Sequence, residues 1–185
     1  SASPEVRGDA LRTVAWSFYR ASSVEQPIRD RFAALWDHRI EHVRENPACS
    51  KELEGIYYLA KSSSFPSEWW LPRLRDALEL EPTLASERYM IGKELAQAST
   101  TDPAAALTVL KLLLRGRGEG ARVAFDLSRH AIPVVIANAM LSSDGALTEQ
   151  AEAYMNELGA QGNLALENQV QAVLDGKVGA DDVDE

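Results

Sequence analysis

Apolar residues recur at spacings of three and four along nearly the whole chain, and this periodicity limits what the chain can fold into. In the first segment, for example, Leu11, Val14 and Phe18 fall on one face of a helix. No stretch shows the sustained alternation of β-branched and polar residues that half-buried strands require. The sequence therefore predicts an all-α fold.

Glycine, proline and capping residues divide this pattern into about eight or nine helices joined by short links. Helices with such links are typical of stacked antiparallel helix pairs, so the pattern predicts an α-solenoid of the armadillo or HEAT kind. An irregular helical bundle is the alternative. We expect one helical-repeat domain over residues 1–177 and a flexible acidic tail over residues 178–185.

Caps and breakers place the individual helices. Ser3 followed by Pro4 predicts an N-cap and a first turn, and Asp102 followed by Pro103 predicts the same start for a helix that Gly116 ends. The other helices are predicted from Pro27 to the "ENP" segment, from Ser50 to Ala60, from Ser67, from about Thr83 to Ala98, over a short stretch ending at Leu127, and over 133–141, 147–158 and 164–174. Pro133 predicts a break over residues 129–132.

Charge and cysteine usage exclude several classes of protein. The chain has 19 basic and 28 acidic residues, and its formal charge of −9 repels phosphate backbones and anionic membrane surfaces. No segment approaches the roughly 18 consecutive apolar residues that span a bilayer. Cys49 is the single cysteine, which excludes an internal disulfide and fits a reducing compartment. We therefore expect a cytoplasmic protein that binds neither nucleic acid nor membrane.

Two adjacent tryptophans mark the start of the helix predicted from Ser67. Trp70 belongs to the apolar stripe of that helix, whereas Trp69 falls beside it and shares its face with Arg73. Exposed tryptophan and arginine side chains are frequent anchors of protein interfaces, although a neighbouring repeat of a solenoid can also cover such a face. The sequence thus predicts Trp69 and Arg73 as binding residues.

The segment "HRIEH" is the sharpest chemical pattern in the chain. It matches the H-x-x-E-H spacing of inverted zinc peptidases, with His38 and His42 one helical turn apart and Glu41 as a base. A zinc centre also needs a third protein ligand and a pocket, and the charged neighbours of this segment indicate a solvated helix face. We therefore predict no metal site and no cofactor, and keep a site of His38, Glu41 and His42 as the alternative.

Four stretches resemble one known arrangement. They are "FAALWDHRIEHV", "ELEGIYYLAKSSSFPSEWWLPRLRDALEL", "DPAAALTVLKLLLRGRGEG" and "IANAMLSSDGALTEQAEAYMNELGAQGNLALENQV". Together, over roughly residues 30–170, they are similar to the C-terminal helical region of large bacterial multidomain proteins, often NACHT or STAND-type ATPases suspected in phage defence. The resemblance implies that an ATPase or effector domain lies upstream and that the helical region senses a ligand or mediates assembly. It implies no catalytic residues.

These observations favour a non-enzymatic helical-repeat module that binds another protein or the other domains of its parent chain. Self-association into a homo-oligomer stays open. The alternatives from another class are enzymes, either a zinc-dependent hydrolase built on "HRIEH" or a helical-repeat nucleic-acid enzyme of the glycosylase kind. The second alternative needs a basic concave face. The arginines available for that face are Arg73, Arg75, Arg115, Arg117 and Arg122.

Overall fold

A computed structural model describes the backbone of residues 2–115 and 131–183, and the side chains of these residues outside 85–89. The described residues form nine α-helices and no β-strand, which confirms the predicted all-α fold. The helices are α1 Pro4–Arg20, α2 Gln26–Glu45, α3 Ile56–Lys61, α4 Ser67–Leu80, α5 Gly92–Ala98, α6 Pro103–Leu114, α7 Ala131–Met140, α8 Gly145–Ala160 and α9 Leu166–Leu174. Three 3₁₀ helices cover Pro47–Leu53, Pro82–Ile91 and Ala180–Asp182.

The predicted caps of α1 and α6 are present. The Ser3 side chain accepts a hydrogen bond from the Val6 amide, and the Asp102 side chain accepts one from the Ala105 amide. Each satisfies an amide that the first turn of a helix leaves unpaired. The chain divides into two compact units, residues 1–87 and 88–185, and the single domain predicted over residues 1–177 stays a prediction.

The first unit is built around an aromatic core. In it, α1 packs on the first 3₁₀ helix and on α3, while α2 packs on the same 3₁₀ helix and on α4. The ring of Phe18 lies 4.8 Å from that of Phe32 and 5.3 Å from that of Phe65, measured between centroids. Trp36 and Tyr57 are fully buried beside these helices. Burying each such side chain stabilises the fold by about 1.5–3 kcal/mol.

Two glycines let α1 approach the neighbouring backbone closely. A Cβ at Gly8 in α1 would lie 2.6 Å from the carbonyl oxygen of Lys51, and a Cβ at Gly55 would lie 2.9 Å from the Cα of Arg12. Gly55 also has φ +101°, a left-handed conformation that L side chains rarely adopt. The two glycines thus fix α1 against the first 3₁₀ helix and the start of α3.

Two predicted helices differ from the structure. The helix expected over residues 50–60 is a 3₁₀ helix followed by α3, because the left-handed turn at Gly55 interrupts the helical backbone. The helix expected over residues 83–98 is likewise a 3₁₀ helix followed by α5. Helix α4 begins at Ser67 as predicted and contains Pro72, which leaves the Glu68 carbonyl oxygen without its helical donor.

The second unit surrounds the apolar helix α7. Eight of its ten residues are buried, and α5, α6, α8 and α9 all pack on it, as expected for a helix that is hydrophobic on every side. This arrangement is that of a small bundle, and the stacking of helix pairs into a solenoid stays a prediction. Residues 131 and 132, which we expected in a break before Pro133, are helical. The helix predicted to end at Leu127 and the stop at Gly116 lie outside the described residues.

Part of the acidic tail packs on the second unit, and the flexibility of the tail stays a prediction. Val183 is 1% exposed and joins a cluster with Ala96, Ala131 and Val134. Ahead of it, the third 3₁₀ helix is closed by a hydrogen bond of 2.7 Å from the Gly179 amide to the Asp182 carboxylate. A single valine among acidic residues thus anchors this part of the tail.

In the part of the chain that the structure describes, no helix is long and apolar enough to cross a membrane.

Candidate functional site

Trp69 lies at the outer end of the aromatic core of the first unit. Its ring packs on Phe65, with the two centroids 4.4 Å apart. Trp70 is 3% exposed and belongs to the core. Successive residues of an α-helix point about 100° apart, so burying Trp70 leaves Trp69 half-buried on the flank of α4. This is the placement that the sequence predicts for the two side chains.

Arg73 is held in one position by Trp69 and by α2. Its guanidinium carbon lies 4.5 Å from the centre of the Trp69 ring, and its Nη1 donates a 2.8 Å hydrogen bond to the Trp69 carbonyl oxygen. Nε and Nη2 donate to the two carboxylate oxygens of Asp37 at 2.6 and 2.8 Å. Bidentate pairing and stacking both use the planar guanidinium, so lysine would not replace it. The two predicted binding residues therefore form one fixed pair, which we call the Trp69–Arg73 pair.

A cavity of about 330 Å³ adjoins this pair between α2 and α4. The side chains of Asp37 and Glu41 are 49% and 64% exposed, whereas that of Arg73 is 23% exposed. Two exposed carboxylates thus lie at the cavity, together with the exposed side chains of His38 and Pro72. The complete lining is Asp37, His38, Ile40, Glu41, Pro72, Arg73 and Asp76.

A second set of ion pairs involves Glu41 and Asp76 of the cavity lining. Arg44 pairs with Glu41 and, at 2.6 Å, with the Oδ2 of Asp76, so it links α2 to α4. Arg75 pairs with the other oxygen of Asp76 at 2.7 Å. Such partly exposed pairs contribute little each, about 0–1 kcal/mol, but together they fix the relative position of the two helices. The walls of the cavity are therefore preformed.

The structure describes three of the five arginines of the nucleic-acid alternative, which stays an alternative. Arg73 and Arg75 each donate to a carboxylate, and Arg115 is an exposed residue at the end of α6. Arg117 and Arg122 lie outside the described residues.

The structure separates the residues of the "HRIEH" pattern. His38 and Glu41 line the cavity, whereas His42 belongs to a different group at the end of α2. Among the described residues, the three metal-ligating side chains whose ligand atoms come within 4.8 Å of one another are His42, Cys49 and Glu52. The alternative ligand set of His38, Glu41 and His42 is therefore not assembled as one cluster.

Glu52 is the centre of that different group. It is fully buried, and it accepts hydrogen bonds from the Nε of Arg7 at 2.8 Å and from the Nη1 of Arg39 at 3.2 Å. Burial raises the pKa of its carboxyl, but the hydrogen bonds and charges of the two guanidiniums outweigh burial and hold the pKa below its ordinary value. The Nη2 of Arg7 also lies 3.7 Å from the Sγ of Cys49.

The sequence contains a signal for this group that motif reasoning misses. Cys49 and Glu52 are three residues apart, and in a 3₁₀ helix of three residues per turn such side chains lie one above the other. The sequence predicts a helix that begins only at Ser50, which leaves Cys49 outside it. A 3₁₀ turn that starts at Pro47, soon after His42, would predict that His42, Cys49 and Glu52 lie close together.

Comparisons with models of protein families, with curated proteins and with solved structures find no match to this chain. The resemblance to the helical regions of NACHT and STAND-type proteins therefore stays a prediction. What the chain binds has to be argued from the geometry of its own side chains.

Proposed function

We propose that this protein is a non-enzymatic interaction module that binds a segment of another protein, or of its own parent chain, on the surface formed by the Trp69–Arg73 pair and the adjoining cavity. The observation that carries the proposal is the stacking of a half-buried tryptophan under an arginine that three hydrogen bonds hold in place. Tryptophan and arginine are the residue types that most often dominate interface energies.

The fixed geometry of this surface supports a binding role. Arg73 is held by α2 through Asp37 and by α4 through the Trp69 carbonyl, and Trp69 rests on the buried ring of Phe65. A partner therefore does not need to order these side chains on binding. Preorganisation of this kind raises affinity because it removes a loss of side-chain entropy of about 0.5–1.5 kcal/mol per residue.

The charge of the surface indicates the chemistry of the partner. The carboxylates of Asp37 and Glu41 are exposed at the cavity, and the whole chain carries a formal charge of −9. A lysine or arginine entering the cavity would meet carboxylate oxygens, while an apolar side chain next to it would pack on the exposed edge of Trp69. We therefore propose a partner segment that presents a basic residue beside an apolar one.

The broader parts of the proposal rest on the sequence. We propose that the helices continue as a helical-repeat module of the armadillo or HEAT kind within a large bacterial protein of the NACHT or STAND type, in the cytoplasm. In that setting the partner segment belongs to another domain of the parent chain or to a separate protein. Binding between two copies of this chain is the remaining option for the same surface.

A matched pair of variants can test the proposal. Trp16 and Arg20 on α1 form a second tryptophan–arginine pair with the same spacing of four, and the guanidinium carbon lies 5.5 Å from the ring centre. Trp16 is 46% exposed, and the cavity does not include it. Trp16→Ala is therefore a control for the loss of an exposed tryptophan, and Trp69→Ala is the test.

The experiment is a selection from a random peptide library on the immobilised full chain. We expect the wild type and Trp16→Ala to enrich the same peptides, with lysine or arginine next to an aromatic or aliphatic residue, and Trp69→Ala to enrich none of them. Circular dichroism of each variant checks that the helices are retained. Enrichment of the same peptides on Trp69→Ala, or of peptides without basic residues, would contradict the proposal.

A further inference from the structure

A mixed cluster of nitrogen, sulfur and oxygen ligands lies at one end of the first unit, apart from the cavity. His42 is in the last turn of α2, and Cys49 and Glu52 are in the 3₁₀ helix that follows it. One ligand atom from each of the three side chains lies within 4.8 Å of the other two. Imidazole nitrogen, thiolate sulfur and carboxylate oxygen are the three ligand types that proteins use to hold Zn²⁺.

We propose that His42, Cys49 and Glu52 form a binding site for a thiophilic divalent metal ion of the Zn²⁺ type, with a water molecule as the fourth ligand. This inference does not depend on the proposed binding surface. It also differs from the zinc pattern of the sequence, because Cys49 and Glu52 take the places that "HRIEH" gives to His38 and Glu41.

The local fold explains why these side chains meet. Asn46 ends α2, and Pro47 starts a 3₁₀ helix in which Cys49 and Glu52, three residues apart, lie on the same side. The Nδ2 of Asn46 lies 3.4 Å from the Nδ1 of His42, so this contact holds one ring nitrogen and leaves Nε2 for a metal. Zn²⁺ bonds of about 2.0–2.3 Å would require the ligand atoms to close to roughly 3.5 Å apart. His42 and Cys49 are both partly exposed, so their side chains can rotate by that amount.

The two arginines beside Glu52 act on the proposed site in opposite ways. They orient the carboxylate, as outer hydrogen bonds commonly do for metal ligands; Arg7 contacts Oε1 with both Nε and Nη2, whereas Oε2 accepts from Arg39 and keeps a second lone pair for an ion. Their positive charge also repels a cation. We therefore expect weaker binding than at a closed structural zinc site with four protein ligands.

Metal binding at this site is a ligand-exchange reaction in which neither the zinc nor the cysteine sulfur changes its oxidation state. Zn²⁺ replaces the proton of the Cys49 thiol, a Zn–S bond forms, and the proton leaves to the solvent. Neutral His42 supplies one lone pair, and ionised Glu52 supplies another. The ligand set leaves one coordination position open, as in zinc sites that bind a further ligand.

The test is a titration of the full chain with Zn²⁺ against a chromophoric chelator, after metal removal and in the presence of a phosphine reductant. We expect one Zn²⁺ per wild-type chain and at least tenfold weaker binding by Cys49→Ser and His42→Gln. Co²⁺ as a second probe should give a thiolate-to-metal charge-transfer band that Cys49→Ser lacks. Circular dichroism checks that each variant is folded.

His38→Gln is the matched control, because His38 lies one turn before His42 on the same helix and lines the cavity instead. It should bind Zn²⁺ as the wild type does. Loss of binding in His38→Gln with retention in Cys49→Ser would overturn the proposal in favour of the "HRIEH" set. Absence of Zn²⁺ and Co²⁺ binding by the wild type would overturn it entirely.

Discussion

Replacing Gly8 by alanine should destabilise the first unit, although alanine is the better helix former. In the interior of a helix, Gly→Ala normally stabilises a protein by about 0.5–1 kcal/mol. At Gly8, however, the new Cβ would lie 2.6 Å from the carbonyl oxygen of Lys51. That oxygen belongs to the backbone of the 3₁₀ helix and cannot rotate away, so α1 has to move. Overpacking of this kind costs about 1–3 kcal/mol, which after the gain in helix propensity leaves a net loss of about 0–2.5 kcal/mol, centred near 1 kcal/mol.

Gly159 in α8 offers the matched control. A Cβ there has no neighbour within 4 Å, so Gly159→Ala should stabilise the second unit by about 0.5 kcal/mol through helix propensity alone. All four tryptophans, Trp16, Trp36, Trp69 and Trp70, lie in the first unit. Tryptophan fluorescence therefore follows the unit that contains Gly8.

The assay is urea unfolding followed by tryptophan fluorescence for Gly8→Ala and by circular dichroism for Gly159→Ala. We expect a lower midpoint with an unchanged slope for the first variant and a slightly higher midpoint for the second. A rise in the fluorescence midpoint of Gly8→Ala would refute the reasoning, because it would mean that α1 does not approach the 3₁₀ helix as closely as described.

Three further predictions concern acid stability, a glycine turn and the tail. The Glu81 carboxyl loses solvation on burial, but hydrogen bonds from Ser50 and Thr83 outweigh this loss and lower its pKa. Its contribution to stability should therefore disappear as the pH falls below about 4.5, and Glu81→Gln should make the melting temperature depend less on pH in this acid range. An unchanged pH dependence would contradict this. Gly55→Ala should lower the free energy of unfolding, measured in urea, by about 2–4 kcal/mol, because the new side chain combines left-handed backbone strain with a clash against the backbone of Arg12. A smaller loss than that of Gly8→Ala would contradict the left-handed turn at Gly55. Val183→Ser should expose the C-terminal segment to carboxypeptidase faster than wild type; equal rates would show that Val183 does not anchor it.

The sequence predicts those parts of the fold that depend on local signals. The caps at Ser3 and Asp102 and the split between Trp69 and Trp70 follow from side-chain chemistry within one turn of a helix. The interruption at Gly55 does not, because an isolated glycine fits both a helix and a left-handed turn, and the close packing of α1 decides between them.

The candidate sites likewise combine features that local signals predict with features that depend on packing. The Trp69–Arg73 pair was predictable because its members are four residues apart on one helix, whereas the pairing of Arg73 with Asp37 needs two helices to be packed. The cluster of His42, Cys49 and Glu52 escaped prediction because it depends on the turn at Asn46 that brings the 3₁₀ helix back beside the end of α2.

The most direct test of the proposed function is the affinity of one selected basic peptide for Trp69→Ala and for Trp16→Ala, measured by calorimetric titration alongside the wild type. We predict that Trp69→Ala weakens binding at least tenfold, or about 1.4 kcal/mol, and that Trp16→Ala changes it less than about twofold. Urea unfolding of both variants separates binding from stability. Equal affinities for Trp69→Ala and wild type, or a larger loss in Trp16→Ala, would contradict the assignment of the Trp69–Arg73 pair as the binding surface.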